Sequence, residues 1–277
     1  MKGSFGPLIL LVLESGMSRR PLKNARALVT GASSGIGREI ARELAKAGAQ
    51  VLVTARRESR LSELVAEFDG KQHAITALAG DITDPAFREQ LLAQAQQQFG
   101  ALDILVNNAG AGAIGLFQDS TPETLRRVME LNFFAPVELI RAALPLLRAG
   151  KKPIIANVAS VLGHRAVPKK SEYCASKFAL HGMSDSLRAE LAPQGIDVCL
   201  ISPSTTASEF FDVAAGDKQK LPWLKVPGMS SSAVAKASVR AIRAGRHEVI
   251  LSPGGKFLVW ADRLSPPVVN RLVAKLG

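Results

Sequence analysis

Short runs of Val, Ile, Leu and Ala alternate with amphipathic stretches along nearly the whole chain. The apolar runs are Ala25–Thr30, Gln50–Ala55, Ala74–Ala79, Leu102–Asn107, Pro153–Ala159, Asp197–Ser202 and His247–Leu251. Most lack the polar alternation of a half-exposed strand, so they predict parallel strands covered on both faces. Between them, apolar residues recur at helical spacing in Gly35–Ala47, Glu58–Phe68, Pro85–Phe99, Pro122–Arg148, Glu172–Ala192 and Ser231–Ala244. Gly48, Gly100, Gly150 and Gly245 stand where these helices should end. Seven strands and six helices in alternation predict an α/β fold: a Rossmann-like, doubly wound parallel sheet with helices on both faces. Ligands in such a sheet bind beyond the carboxyl ends of the strands. The segment Ser204–Met229 fits neither pattern. Its length, its place after a strand, and Phe210, Phe211, Leu221, Trp223 and Leu224 suggest a lid over a substrate.

Composition narrows this picture only a little. The chain has 277 residues, 47% of them hydrophobic, enough for a sizeable core. The net charge of +11 is spread in short clusters such as Arg19-Arg20, Lys151-Lys152 and Lys169-Lys170. No zinc-finger, helix-turn-helix or RNP pattern accompanies it, so a basic solvated surface is expected rather than a nucleic-acid partner. Cys174 and Cys199 lack metal-ligand spacing; they read as reduced core thiols, no metal is expected, and a cytoplasmic setting fits.

Both ends differ from the middle. Residues 1–23 read as an extension before the first strand. Its apolar run Pro7–Leu13 is too short to span a bilayer, and Met17 offers an alternative start. Residues 24–254 hold the alternating pattern. The tail, 255–277, is amphipathic: Phe257, Trp260, Leu264, Val268 and Leu272 alternate with Arg263, Arg271 and Lys275. Such a face packs on the core or a partner, or rests weakly on a membrane surface.

The chemistry gathers at strand ends. The first strand runs into Thr30-Gly31-Ala32-Ser33-Ser34-Gly35-Ile36-Gly37 and then a helix. Gly31 permits the tight turn, Gly35 lets the backbone approach a pyrophosphate, and Gly37 allows close helix–strand packing. The helix N-terminus then offers free N–H groups to phosphates. A dinucleotide enzyme that prefers NAD usually carries Asp or Glu at the end of the second strand; Ala55 stands there, followed by Arg56 and Arg57. A guanidinium suits a 2′-phosphate, so NADP(H) is the expected cofactor. Tyr173 and Lys177 lie four apart in a helical stretch and share a face. A neighbouring ammonium should lower the phenol pKa from about 10. Ser160 ends the fifth strand run, Asn107-Asn108-Ala109-Gly110 ends the fourth, and Asn132 sits as an amide in apolar surroundings where it needs partners.

In these motifs and their order the chain resembles the short-chain dehydrogenase/reductase family, in its compact single-domain branch. The resemblance covers about residues 24 to 252. It matches the glycine turn Thr30–Gly37, Asp81-Ile82 on the adenine side, Asn107–Gly110, and a tetrad of Asn132, Ser160, Tyr173 and Lys177. It implies that Tyr173 exchanges a proton with the substrate oxygen and that Ser160 steadies that oxygen. It also implies that Lys177 bonds the nicotinamide ribose and that Asn132 holds a water. The cofactor contacts it implies are Gly31, Ser33, Ser34, Gly35, Ile36, Gly37, Arg56, Arg57, Asp81, Ile82, Asn108, Ala109, Gly110, Tyr173 and Lys177, with Pro203, Thr206 and Ser208 near the carboxamide. Pro203-Ser204 departs from the usual Pro-Gly, and Ser208 from the usual threonine. A homodimer or homotetramer through the Pro122–Arg148 and Glu172–Ala192 helices is also implied. The reaction expected is carbonyl reduction, or oxidation of the matching secondary alcohol, on a small, apolar molecule. The alternative is a catalytically silent NADP(H)-binding sensor, against which the intact tetrad argues.

Overall fold

A computed structural model describes residues 20–70, 75–207 and 228–275. Seven strands form one parallel sheet: β1 (Arg26–Thr30), β2 (Gln50–Ala55), β3 (Ile75–Ala79), β4 (Ile104–Asn107), β5 (Ile154–Val158), β6 (Asp197–Ser202) and, after the two short strands below, β9 (Glu248–Ile250). Their order is β3-β2-β1-β4-β5-β6-β9, so the winding reverses between β1 and β4. That point is where a doubly wound sheet opens a ligand crevice.

Strand alternation assigns the two layers. Ala27, Val29, Val51, Val53, Ile104 and Val106 turn to one face. There they pack on α1 (Gly35–Lys46), α2 (Glu58–Ala66) and, through Val239 and Ile242, α7 (Ser231–Arg243). Leu28, Leu52, Leu105, Ile155 and Val198 turn to the other. They meet α3 (Pro85–Phe99), α5 (Ala135–Arg148) and the end of α6 (Ser171–Leu191). A strand covered on both faces needs apolar residues at every position, which is why these runs are continuous.

The expected element bounds hold within two residues, with one informative exception. The expected single helix Pro122–Arg148 is α4 (Pro122–Met129), then a wider π-type turn over Glu130–Phe134, then α5. Pro136 has no N–H for the carbonyl of Asn132, so the ordinary ladder is already interrupted there. The widened turn carries Asn132. Of the four expected terminal glycines, Gly48, Gly100 and Gly245 take the left-handed conformation. At Gly150 the requirement is instead close approach, since a side chain would run into the carbonyl of Leu102.

Two short strands, β7 (Thr206–Ala207) and β8 (Met229–Ser230), pair in parallel on either side of residues 208–227. The aromatic residues of the expected lid lie outside the described residues. So do the apolar run Pro7–Leu13 and Ser208.

The described residues nearest each end are joined to the core. Arg20, from the expected extension, is buried and pairs with Asp197 at 2.7 Å, while its guanidinium also bonds the carbonyls of Ile242 and Lys152. The tail forms α8 (Pro253–Leu264) and α9 (Pro266–Ala274). Val259, Val269 and Val273 are buried, while Phe257, Trp260 and Leu264 remain 77%, 58% and 83% exposed. The tail thus packs by one face and leaves an apolar face open. No helix among the described residues is long and apolar enough to cross a membrane.

Asp103 fastens the amino end of the sheet. Its carboxylate accepts from the Arg26 amide at 2.9 Å, from Arg26 Nε at 2.9 Å and Nη2 at 2.7 Å, and from the Lys151 amide. Burial alone would raise its pKa; the Arg26 guanidinium and the two amides outweigh burial and hold it below the ordinary value. Its contribution to stability is therefore present above the unfolded carboxyl pKa of about 3.9 and is lost as pH falls through the lower folded value. Asp103→Asn should cost about 2–3 kcal/mol in urea unfolding at neutral pH, and the variant should lose less further stability than the wild type on acidification.

Candidate active site

The carboxyl ends of the strands enclose one cavity of about 790 Å³. Its floor is the turn after β1. Gly31 has φ +67°, and a Cβ there would stand 2.8 Å from the Ala109 Cα. A Cβ on Gly37 would overlap the Gly31 carbonyl and the Asn108 side chain. Both positions therefore require glycine for space, and Gly31 also for conformation. Thr30 Oγ1 accepts from the amides of Asn108 (3.0 Å) and Ala109 (3.1 Å), and Asn108 Nδ2 donates to the carbonyls of Thr30 (3.0 Å) and Gly31 (3.1 Å). The first turn and the end of β4 thus form one bonded unit at the reversal point of the sheet.

Above this floor, Ser33, Ser34, Gly35, Ile36, Arg56, Arg57, Asp81, Ile82, Asn108, Ala109 and Gly110 line the cavity, as expected. Gly37 lies beneath the lining. The two arginines differ. Arg57 Nη2 donates to Ser33 Oγ at 3.1 Å and to Ser34 Oγ at 2.7 Å, so it spans the glycine turn. Asp81 accepts from the amide and hydroxyl of Thr83, at 3.0 and 2.8 Å. That shapes the turn after β3 beside the cavity.

The tetrad converges from three places. Ser160 follows β5; its hydroxyl accepts from the Leu162 amide at 3.1 Å. Tyr173 and Lys177 project from α6 into the cavity wall, with Lys177 Nζ 5.7 Å from the tyrosine ring centre. Lys177 Nζ donates to the Val158 carbonyl at 2.9 Å. Asn132 is 1% exposed and fully partnered. Its Oδ1 accepts from the Ala111 amide at 2.8 Å, and its Nδ2 donates to the Ala111 carbonyl and to Ser176 Oγ, each at 2.9 Å. It ties the loop after β4 to the helix that carries Tyr173 and Lys177.

One electrostatic expectation is reversed. Tyr173 is not lowered by its lysine neighbour: burial pushes the phenol up to about 12, and a hydrogen bond with Ser160 only partly offsets this. Burial also brings the Lys177 ammonium down to about 8. Desolvation penalises whichever form is charged, so it raises the phenol, lowers the ammonium and moves the two values apart. At neutral pH the phenol holds its proton and most of the lysine is charged.

Pro203, Ser204 and Thr206 line the cavity on the far side, and Thr206 Oγ1 donates to the Ser204 carbonyl at 3.0 Å. The Pro203 carbonyl accepts from the Val161 amide at 2.9 Å, which holds this segment against the Ser160 turn despite the missing glycine. Lys170, taken from the sequence as part of a solvated basic cluster, is instead buried in the cavity wall. Its carbonyl accepts from Cys174 N at the start of α6. Gly254, Gly255 and Leu258 of α8 also line the cavity. Sequence patterning ended the alternating region at Gly254 and placed Gly255 and Leu258 in a separate tail, and nothing local marks them as cavity residues.

The arrangement has room and donors for a dinucleotide: a glycine floor, a helix N-terminus, and an amine 2.9 Å from a strand-end carbonyl. The profile of the short chain dehydrogenase family matches residues 25–218. Dehydrogenase/reductase SDR family member 7B of Rattus norvegicus is 34% identical over 277 residues, covering 95% of this chain and 84% of that protein. Among solved structures, a short chain dehydrogenase/reductase from Burkholderia phymatum in complex with NAD superposes with a TM-score of 0.82 at 22% identity, over 90% of this chain and 96% of that one. A short-chain dehydrogenase from Streptomyces avermitilis gives 0.79 at 31% identity, over 89% and 95%. The chain therefore belongs to the short-chain dehydrogenase/reductase family of oxidoreductases, which work with a nicotinamide cofactor.

Proposed function

We propose that the protein is an NADP(H)-dependent reductase of a small, apolar carbonyl compound, working equally on the matching secondary alcohol in reverse. The observation that carries this reading is the convergence of Tyr173, Ser160 and Lys177 on the wall of the cavity, with the phenol bonded to Ser160 and Lys177 Nζ 5.7 Å from the ring centre. The nicotinamide, when bound, supplies or accepts the hydride. Tyr173 gives its proton to the carbonyl oxygen as that oxygen gains charge. The Ser160 hydroxyl donates a hydrogen bond to the same oxygen. The Lys177 ammonium stabilises the phenolate left behind. Asn132 is a positioning residue that holds α6 against the loop after β4. A silent sensor would have no use for a buried proton donor at this place.

Arg57 on the glycine turn and Arg56 at the cavity edge favour a cofactor with a 2′-phosphate. The lining residues Leu131, Val161, Leu162, Val167 and Leu258 favour an apolar substrate. Two further surfaces fit partners. Leu125, Phe134 and Phe178 are exposed on α4, the π-type turn and α6, where a second copy would cover them. The open stripe of Phe257, Trp260 and Leu264, with Arg263 stacked on Trp260 at 5.4 Å, suits an anionic lipid surface at the mouth of the cavity.

Tyr173→Phe should bind NADPH with unchanged affinity and lose at least about a hundredfold in turnover across a panel of ketones and aldehydes. Substantial residual turnover would remove the tyrosine from its role. Carbonyl reduction should fall as pH rises through about 8, where Lys177 loses its charge. Arg57→Ala and Arg56→Ala should each weaken NADPH about tenfold or more while sparing NADH, as lost charge-assisted bonds require; wild-type ratios of the two affinities in both variants would overturn the NADP(H) preference. In co-sedimentation with phosphatidylserine vesicles, a Phe257→Ser/Trp260→Ser protein should stay in the supernatant where the wild type pellets. Equal behaviour of the two would remove the lipid contact.

A further inference from the structure

Behind the catalytic set lies a second cluster that the proposed reaction does not use. His164 follows the Ser160 turn, His181 stands one turn beyond Lys177 on α6, and Glu248 lies on β9. One ligand atom from each lies within 4.8 Å of the others. The side chain of His164 is only 2% exposed.

The hydrogen-bond accounting in this cluster does not close. His181 Nδ1 stands 3.1 Å from the Gly163 carbonyl. A carbonyl only accepts, so Nδ1 carries the proton of that bond and Nε2 is the nitrogen available to a ligand. Nε2 stands 3.4 Å from Asp185 Oδ2, whose side chain is largely exposed. His164 Nε2 bonds Ser202 Oγ at 2.9 Å and also stands 3.0 Å from Glu248 Oε1. Glu248 Oε1 is buried, and no donor is aligned on it. His164 Nδ1 is buried and unpartnered as well. Two buried polar atoms without partners, beside a second imidazole within 4.8 Å, suit a cation held among the three groups.

We propose that His164, His181 and Glu248 bind a divalent transition-metal ion, with Zn²⁺ as the natural occupant. Two imidazoles and a carboxylate are the ligand set that such ions favour over Mg²⁺ or Ca²⁺. Ligands at about 2.0–2.1 Å from zinc stand roughly 3.4 Å apart, so the three groups need to close by only about an ångström. Glu248 and His181 are partly exposed and have the freedom to do so. The bond from His181 Nδ1 to the Gly163 carbonyl is the outer contact that orients a metal-bound histidine through its other nitrogen.

The position defines what the ion does. His181 is eight residues beyond Tyr173, roughly 12 Å along the helix at 1.5 Å per residue, so the ion does not touch the reacting carbonyl. It joins three elements instead: the Ser160 turn through His164, the catalytic helix through His181, and the last strand of the sheet through Glu248. Metal binding would stiffen the turn that presents Ser160. The inference stands on these contacts alone and is independent of the proposed cofactor and substrate.

The test uses the full chain, stripped with a chelator. The protein has four histidines, so a His73→Gln/His247→Gln background leaves only the pair. Titration with Co²⁺, followed by its visible d–d bands, and with Zn²⁺ by calorimetry should give one equivalent bound. His181→Gln and Glu248→Gln, both at partly exposed positions, should each weaken binding more than tenfold. Zn²⁺ should raise the melting temperature of the background protein and leave that of either variant unmoved. Uptake well below one equivalent, or uptake unchanged in both variants, would overturn the site and leave imidazolium–carboxylate pairs in its place.

Discussion

The close crossing of the first turn over the end of β4 is the constraint on which the rest of the site depends. Gly31 admits no side chain because the Ala109 backbone and the Asn108 side-chain amide press against it, and Gly37 admits none because the Gly31 carbonyl and the same amide fill the space. The same contact is closed by four hydrogen bonds among Thr30, Gly31, Asn108 and Ala109. Because the winding reverses here, no helix covers the crevice, and the N-terminus of α1 opens straight into the cavity. A nucleotide-sized space follows from this one approach of two backbones.

Helix α6 is placed by a second device, pairs of buried amides and small hydroxyls. Asn132 holds Ser176, and Asn157 Nδ2 donates to Ser184 Oγ at 2.9 Å while its Oδ1 accepts from Asn107. Ser176 and Ser184 are eight residues apart on α6 and both fully buried. Two turns of one helix are thus fixed to β4, β5 and the π-type turn by directional bonds, which apolar packing alone would leave free to slide. Tyr173 and Lys177 inherit their positions from these bonds. Burial of that face then sets their chemistry: it keeps the phenol protonated and weakens the hold of the lysine on its proton.

The apolar runs, the glycine turn and the strand-end motifs were legible because each is a local pattern with one geometric meaning. Continuous Val-Ile-Leu runs can only be buried strands or buried helix segments, and their length decides between them. Tyr173 and Lys177 share a face by helical period alone. The π-type turn was not legible: an amphipathic pattern runs through Glu130–Phe134, and only the partners of Asn132 make the wider turn worthwhile. Lys170 carries no local sign of burial, and α8 looks like a tail until it is seen against the cavity.

The sequence by itself determined the parallel sheet, its helices and the glycine turn, because period and spacing are properties of neighbours along the chain; the tetrad is what the family resemblance implies. Tertiary structure alone decided which arginine spans the glycine turn, in which direction the phenol pKa moves, and that His164, His181 and Glu248 meet at all. Those outcomes depend on burial and on contacts between segments far apart in sequence, and neither is encoded in any single stretch of it.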